Sequence, residues 1–165
     1  LQKADALITS GGVSVGEFDV VKSVLSRLGQ INFWRVAMKP GKPQAFGLVH
    51  GKPIFGLPGN PVSSLTVFEL FVRPALRKMA GFSALKRPTF QTILDQDVAN
   101  NTDRVNYVRG LVEKIEGKYY AKMTGPQGSG ILYSLVLANG LAVIPANTRV
   151  KAGESVEMQF FEDAL

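Results

Sequence analysis

The chain has 165 residues, of which 45% are hydrophobic and 19% charged, enough apolar material for one large domain or two small ones. It has no cysteine and a single histidine, His50, which excludes disulfides, thiol nucleophiles, cysteine-ligated metal centres and histidine-cluster metal sites within one chain. The apolar runs fall short of the roughly 20 residues that cross a bilayer, so no membrane segment is expected.

The net charge of +6 favours an anionic partner, such as nucleic acid, a membrane surface or a phosphorylated small molecule. The lysines and arginines are scattered along the chain, which argues against nucleic acid. The lack of cysteine is typical of a reducing compartment, so we expect a cytoplasmic location. The chain opens at Leu1, without methionine and almost directly on a predicted strand, so we expect a piece of a longer protein.

The first half alternates predicted strands with amphipathic helices, which indicates an α/β fold with a mostly parallel sheet. The predicted strands are 6–8, 33–38, 44–49 and 53–57. One helix is predicted at 19–28 from the spacing of its apolar residues. For the next helix, Asn60 is the predicted cap and Pro61 the first helical residue, Pro74 should disturb it, and Gly81 should end it.

Beyond a predicted linker at 82–88 the pattern changes to short strands and turns. Five strands are predicted there, at 89–94, 105–114, 119–123, 141–144 and 155–161. Glu116-Gly117 should close a hairpin, and 131–137 could form a helical turn. We therefore predict two domains, an α/β domain over 1–86 and a small all-β barrel or sandwich over 87–165.

The loop after the first predicted strand lies in the stretch ITSGGVSVGEFD and leads into a helix. Its candidate ligand contacts are bare glycine amides and hydroxyl side chains, from Gly11, Gly12, Gly16, Thr9, Ser10 and Ser14. Bare amides beside a helix N-terminus are typical of a phosphate site, whereas the plainer interpretation is a tight turn without a ligand. No Gly-Lys-Ser/Thr sequence closes the loop, so it is not a Walker loop.

Asp19, at the end of this stretch, has two interpretations. The plain one is the N-cap of the following helix. The chemical one is a carboxylate at the mouth of an anion site, where it would bind Mg²⁺ or accept a proton. Glu17 is a weaker candidate for metal binding.

The second unusual loop, MKPGKP, carries Lys39 and Lys42 around a Pro-Gly turn. Two prolines stiffen the turn, which lowers the cost of ordering the lysines on a ligand. Alternation along a strand would place Arg35 on the same face as Lys39, in one pocket or merely in solvent. The alternative is a solvated basic turn.

The third loop, GLPGNPVSS, again hands over to a helix. It is either a well-capped helix start or a second anion-facing helix end, with Asn60, Ser63 and Ser64 as polar contacts. In an open α/β sheet, ligands bind beyond the carboxyl ends of the strands. All three loops follow predicted strands, so we expect them to converge on one site.

The motifs TSGGVSVGEFD, KPGKP and GLPGNPVSS, in this order and at these separations, resemble the MoeA/gephyrin family of molybdopterin molybdenumtransferases. TDRVNYVRG, GPQGSG, LANGLAVIP and KAGESVEM resemble the family's C-terminal β-domain. The resemblance implies the latter part of a MogA-like three-layer α/β domain, followed by that β-domain. A MogA-like adenylyltransferase shares the first and third motifs, but the attached β-domain favours MoeA.

The resemblance implies a reaction that inserts molybdenum from molybdate into adenylylated molybdopterin, with Mg²⁺-assisted release of AMP. The implied catalytic residues are Asp19, which is also the implied metal ligand, Lys39 and Lys42. The implied substrate-binding residues are Thr9, Ser10, Gly11, Gly12, Ser14, Arg35, Pro58, Gly59, Asn60, Arg104 and Ser129. Arg109 is a further candidate of the β-domain, where Gly130-Ile131 departs from the polar or basic residues of many relatives.

The family also implies a homodimer of the full-length protein. Two alternatives stay open at this point. Eukaryotic relatives use the same two-domain piece to hold receptor peptides, which would make the chain a scaffold module that needs an exposed apolar groove. A MogA-like activity would transfer an adenylyl group to molybdopterin instead.

Overall fold

The described residues of the first half of the chain form five strands. The structure, a computed structural model, describes residues 3–12, 24 and 27–161. The strands are β1 (Leu7–Ser10), β2 (Gln30–Arg35), β3 (Met38–Lys39), β4 (Pro43–Val49) and β5 (Lys52–Leu57). All but β3 form the first sheet, in the order β1-β5-β4-β2. Of the helix predicted at 19–28, residues 24, 27 and 28 are described and are helical.

The described strands of the first sheet are mostly antiparallel, contrary to the prediction of a mostly parallel sheet. Only β1 and β5 pair in parallel among its described strands, while β4 pairs antiparallel with both β5 and β2. The turn between β4 and β5 explains this, because His50 and Gly51 both adopt positive φ, 51° and 75°. Such a two-residue turn joins antiparallel strands, whereas a parallel pair needs a long crossover connection.

The helix after β5 follows its sequence closely. Asn60 caps it and Pro61 is its first residue, as predicted. The helix consists of α1 (Pro61–Val67), a π-helical turn (Phe68–Val72) and α2 (Arg73–Met79). The π-helical turn lies just before Pro74, whose backbone nitrogen has no hydrogen to donate to the preceding turn. The predicted disturbance of the helix is therefore confirmed. Gly81 follows the helix with φ of +81°.

The second half forms a small barrel, as predicted. Its elements are β6 (Thr89–Leu94), β7 (Val98–Asn100), β8 (Val105–Ile115), β9 (Lys118–Met123), α3 (Tyr133–Val136), β10 (Gly140–Ile144), β11 (Thr148–Val150) and β12 (Ser155–Phe160). The strand order is β10-β12-β6-β9-β8-β3, and a further pairing of β10 with β8 closes the barrel. β7 and β11 form a separate two-stranded sheet that the sequence did not predict.

Among residues 3–12, 24 and 27–161, three apolar clusters stabilise these parts. The largest fills the barrel and includes Leu94, Val108, Ile144, Met158 and Phe160. The second lies between the first sheet and the long helix, and the third lies on the opposite face of that sheet around Val49 and Ile54. In the described part of the chain, no helix is long and apolar enough to span a membrane.

A buried carboxylate ties the long helix to the segment that leads into the barrel. Glu69, in the π-helical turn, is 8% exposed. Its two oxygens accept hydrogen bonds from Arg87 at 2.9 and 3.3 Å, and Arg73 lies 3.8 Å away. Arg77 donates to the carbonyl of Ala84 at 2.6 Å. The predicted linker therefore lies against the helix, which fixes how the barrel is attached.

Replacing Glu69 with glutamine is expected to lower the free energy of unfolding by about 3 kcal/mol, because two arginines lose their carboxylate in a largely buried place. Urea unfolding followed by circular dichroism measures the change. The matched control is Arg149→Gln, which breaks an exposed ion pair with Asp97 at 2.8 Å and should have a much smaller effect. Equal, small effects of the two substitutions would show that Glu69 does not fix the attachment.

Candidate functional site

The first and third loops meet at one edge of the first sheet. β1 and β5 are parallel neighbours with Ser10 opposite Leu57, so the loops that follow them leave the sheet side by side. The amide of Gly11 donates to the carbonyl of Leu57 at 2.9 Å. A Cβ atom added to Gly59 would lie 3.4 Å from the Cα of Gly11, so the two backbones are in contact. This part of the predicted convergence is confirmed.

Glycine is required at the start of the first loop. Gly11 and Gly12 have φ of +89° and +75°, a conformation that other residues rarely adopt. Ser10 is exposed at the end of β1. The hydroxyl of Thr9 is buried and has no hydrogen-bond partner in the described part of the chain. Ser14, Glu17 and Asp19, together with the interpretation of Asp19 as a cap, lie outside the described residues.

The helix start of the third loop is occupied by its own cap. The side-chain oxygen of Asn60 accepts from the amides of Val62 and Ser63 at 3.1 and 3.2 Å, and its carbonyl accepts from Ser64 at 2.8 Å. Pro61 has no amide hydrogen to offer. The well-capped helix is therefore the better of the two interpretations, and the amides of this helix start do not face an anion. The groups of the third loop that are left for a ligand are the backbone of Pro58 and Gly59 and the side-chain nitrogen of Asn60.

The lysine loop lies at the same edge of the sheet. β4 runs antiparallel to β5, so its first residues lie beside the end of β5. Lys39 and Lys42 are exposed, and neither forms an ion pair with a described residue. The amide of Val36 donates to the carbonyl of Lys42 at 2.9 Å, which closes the loop at its base. Two ammonium groups therefore project from a fixed backbone.

Arg35 does not share a face with Lys39, contrary to the expectation from alternation. The predicted strand 33–38 breaks, because β2 ends at Arg35 and the amide of Met38 turns back to the carbonyl of Val36 at 2.8 Å. Met38 and Lys39 then pair with Val105 and Asn106 in the barrel sheet. Arg35 thus belongs to the first sheet and Lys39 to the second.

This pairing brings one candidate of the barrel near the lysine loop. Arg104 directly precedes Val105, whose amide donates to the carbonyl of Ala37 at 3.1 Å. The guanidinium of Arg104 lies 3.8 Å from the exposed carboxylate of Asp103. Ser129 is exposed in the loop between β9 and α3, and nothing in the described contacts ties it to the lysines.

Arg109 proves to be structural. It is 1% exposed and donates to Ser134 Oγ at 2.7 Å and to the carbonyls of Pro126 and Gly128 at 3.3 and 3.1 Å. Burial lowers the pKa of its guanidinium from the usual value. The acceptors are neutral oxygens, two in the GPQGSG loop and one in α3, so Arg109 holds the segment that carries Ser129 instead of facing a ligand.

The sequence did not single out Gln44, which follows KPGKP directly. Its side chain is 8% exposed and donates to the carbonyl of Gly41 at 3.0 Å. The only signal in the sequence is a polar residue at the start of an otherwise apolar strand.

A magnesium site was expected at Asp19, which is not described. Within residues 3–12, 24 and 27–161, no three His, Asp or Glu side chains are grouped to hold a metal ion.

Comparison with known proteins shows which families and proteins the chain is similar to. The family described as "Probable molybdopterin binding domain" matches residues 1–78, and "MoeA C-terminal region (domain IV)" matches residues 91–161. A molybdopterin molybdenumtransferase of Haemophilus influenzae is 40% identical over 99% of the chain, and gephyrin of Dictyostelium discoideum is 39% identical over 87%. The chain spans 41% and 23% of those two proteins.

A solved structure shows the same fold. The molybdopterin biosynthesis MoeA protein of Pyrococcus horikoshii superimposes with a TM-score of 0.76 and 32% sequence identity, over 98% of this chain and 38% of that protein. The two family matches fall on the two parts of the chain that carry the quoted motifs. The chain therefore belongs to the MoeA/gephyrin family.

Proposed function

We propose that the chain contributes the site at which molybdenum from molybdate is inserted into adenylylated molybdopterin with release of AMP. The observation that carries the proposal is the placement of a glycine backbone, Gly11 and Gly12, and two lysines without ion-pair partners in the described chain at one edge of the first sheet. The names of the relatives from Haemophilus and other bacteria support it. Both substrates are anions, which suits the net charge of +6.

Residues of the three loops and of the barrel would bind and orient these anions. The amide of Gly12 and the bare backbone of Gly11, with the hydroxyls of Thr9, Ser10 and Ser14, would lie against phosphate or pterin. Lys39 and Lys42 would bind molybdate or phosphate and stabilise the negative charge that grows on the cleaved phosphate. Pro58, Gly59 and Asn60 would form the opposite wall. Arg35, Arg104 and Ser129 would reach the substrate from the rim.

Magnesium would neutralise phosphate charge and polarise the bond to be cleaved. The described side chains offer no ligand cluster for it, so no step is assigned to the metal. Asp19 is its proposed ligand, or else the group that accepts a proton. A homodimer of the full-length protein and a cytoplasmic location complete the proposal.

The test is AMP release from adenylylated molybdopterin. Because the chain spans 41% of the Haemophilus relative, the chain should be assayed alone and also in place of the corresponding region of that relative. We expect release that depends on molybdate, with molybdenum recovered on the pterin. ATP consumption without a need for molybdate would instead support adenylyl transfer. If the properly folded chimera catalyses neither of these two reactions, the proposal is refuted.

A groove where the long helix meets the barrel favours the peptide scaffold as a second candidate. It has a volume of about 260 Å³, with Phe71, Tyr107 and Val143 as apolar lining and charged residues such as Arg87 and Glu157 beside them. Burial, and then the charge of Glu157, raises the pKa of the Tyr107 hydroxyl. Such a lining suits an extended peptide with both apolar and charged side chains. Peptide binding that is indifferent to Lys39→Ala would support this role.

A further inference from the structure

Gln44 is a buried polar residue in apolar surroundings. It opens onto an apolar groove of about 480 Å³ whose lining includes Trp34, Val36, Leu57 and Val67. A carboxamide in such a place is costly unless its hydrogen-bonding groups are satisfied. Its nitrogen lies 3.0 Å from the carbonyl of Gly41 and 3.2 Å from the sulfur of Met38, which is itself buried. The side chain is therefore directed at the loop that carries the two lysines.

The residue that Gln44 holds is the centre of that loop. Gly41 has φ of +100°, and a Cβ atom added there would lie 2.6 Å from a methyl group of Val67 in the long helix. The backbone of Gly41 is thus pressed against α1 on one side and hydrogen-bonded to Gln44 on the other. The bond from Val36 to the carbonyl of Lys42 closes the base of the same loop.

We infer that Gln44 is a positioning residue, which fixes the backbone between Lys39 and Lys42 so that both ammonium groups meet one oxyanion. This inference rests on the proposed function, because it assigns the lysines an anion to bind. The lysines themselves are exposed, and binding costs less entropy when the backbone that carries them is already ordered. The bond from Gln44 supplies that order in advance.

Gln44→Met is the informative variant, because methionine has a similar length, suits the apolar groove and cannot donate to Gly41. Losing one buried hydrogen bond should weaken molybdate binding by about three- to tenfold. Calorimetric titration of the full chain with sodium molybdate measures this. In a Lys39→Ala, Lys42→Ala background, Gln44→Met should cause no further loss, whereas a merely structural role would lower affinity equally in both backgrounds.

A second measurement does not depend on binding. Amide hydrogen exchange at Gly41 and Lys42 should rise in Gln44→Met, while exchange in β12 should not change. Gln44→Asn, which keeps the amide but shortens its reach, should have the same effects and serves if Gln44→Met does not fold. Unchanged exchange, or unchanged affinity in a folded variant, overturns the inference. Failure of the unsubstituted chain to bind molybdate while the exchange result holds overturns instead the anion role that the proposed function assigns to the loop.

Discussion

Lys39→Ala is expected to lower kcat/KM for molybdate by about a hundredfold in the molybdate-dependent release of AMP. The ammonium group is exposed and has no ion-pair partner among the described residues, so its charge is available to an anion. Removal of one preorganised group that stabilises developing charge typically costs this much. Steady-state kinetics of the Haemophilus chimera would give the number.

The matched control is Lys118→Ala, which removes the same charge from the exposed start of β9. It should change kcat/KM by less than twofold if the effect is local and not a result of net charge. The loss caused by Lys39→Ala should shrink as the salt concentration rises, because screening weakens the exposed charge. Equal losses in the two variants would remove Lys39 from the site.

Asp19→Asn should abolish molybdenum insertion, with a loss of about a hundredfold or more, while the fold stays intact. A carboxylate that binds Mg²⁺ or accepts a proton cannot be replaced by an amide, and such groups typically contribute at least this factor. Asparagine caps a helix about as well as aspartate, so the thermal midpoint should hardly move. AMP release and a thermal melt of the same preparation separate the two roles.

The complementary control is Asp19→Ser, which keeps a good cap but has no carboxylate. It should be as inactive as Asp19→Asn. Full turnover in either variant, at any magnesium concentration, would reduce Asp19 to a cap residue and leave Glu17 as the remaining candidate ligand for the proposed metal.

Local features of the fold were predictable because they depend on a few neighbouring residues. The cap at Asn60, the disturbance before Pro74 and the hairpin at Glu116-Gly117 all follow from backbone chemistry that is readable in the sequence. The hairpin turn places both residues at positive φ, 49° and 81°. Five of the barrel strands were also located from alternation and turns, within one residue of their observed bounds.

Features that depend on distant partners were not predictable in this way. Strand direction in the first sheet depends on which strands pair, and the strand–helix alternation pointed to a parallel sheet. β3 joins the barrel through only two residues, and β7 and β11 have three each, too few to show any periodicity. The site shows the same division. Its loops and the cap at Asn60 were predicted, but the burial of Arg109 and the bond from Gln44 depend on three-dimensional packing.

The most direct test is the position of molybdate in a crystal of the chain, located by the anomalous scattering of molybdenum. We expect one molybdate that accepts a hydrogen bond from the amide of Gly12 and has an oxygen within about 4 Å of an ammonium nitrogen of Lys39 or Lys42. A well-occupied peak elsewhere, with the first loop and the lysines facing different regions of solvent, would contradict it.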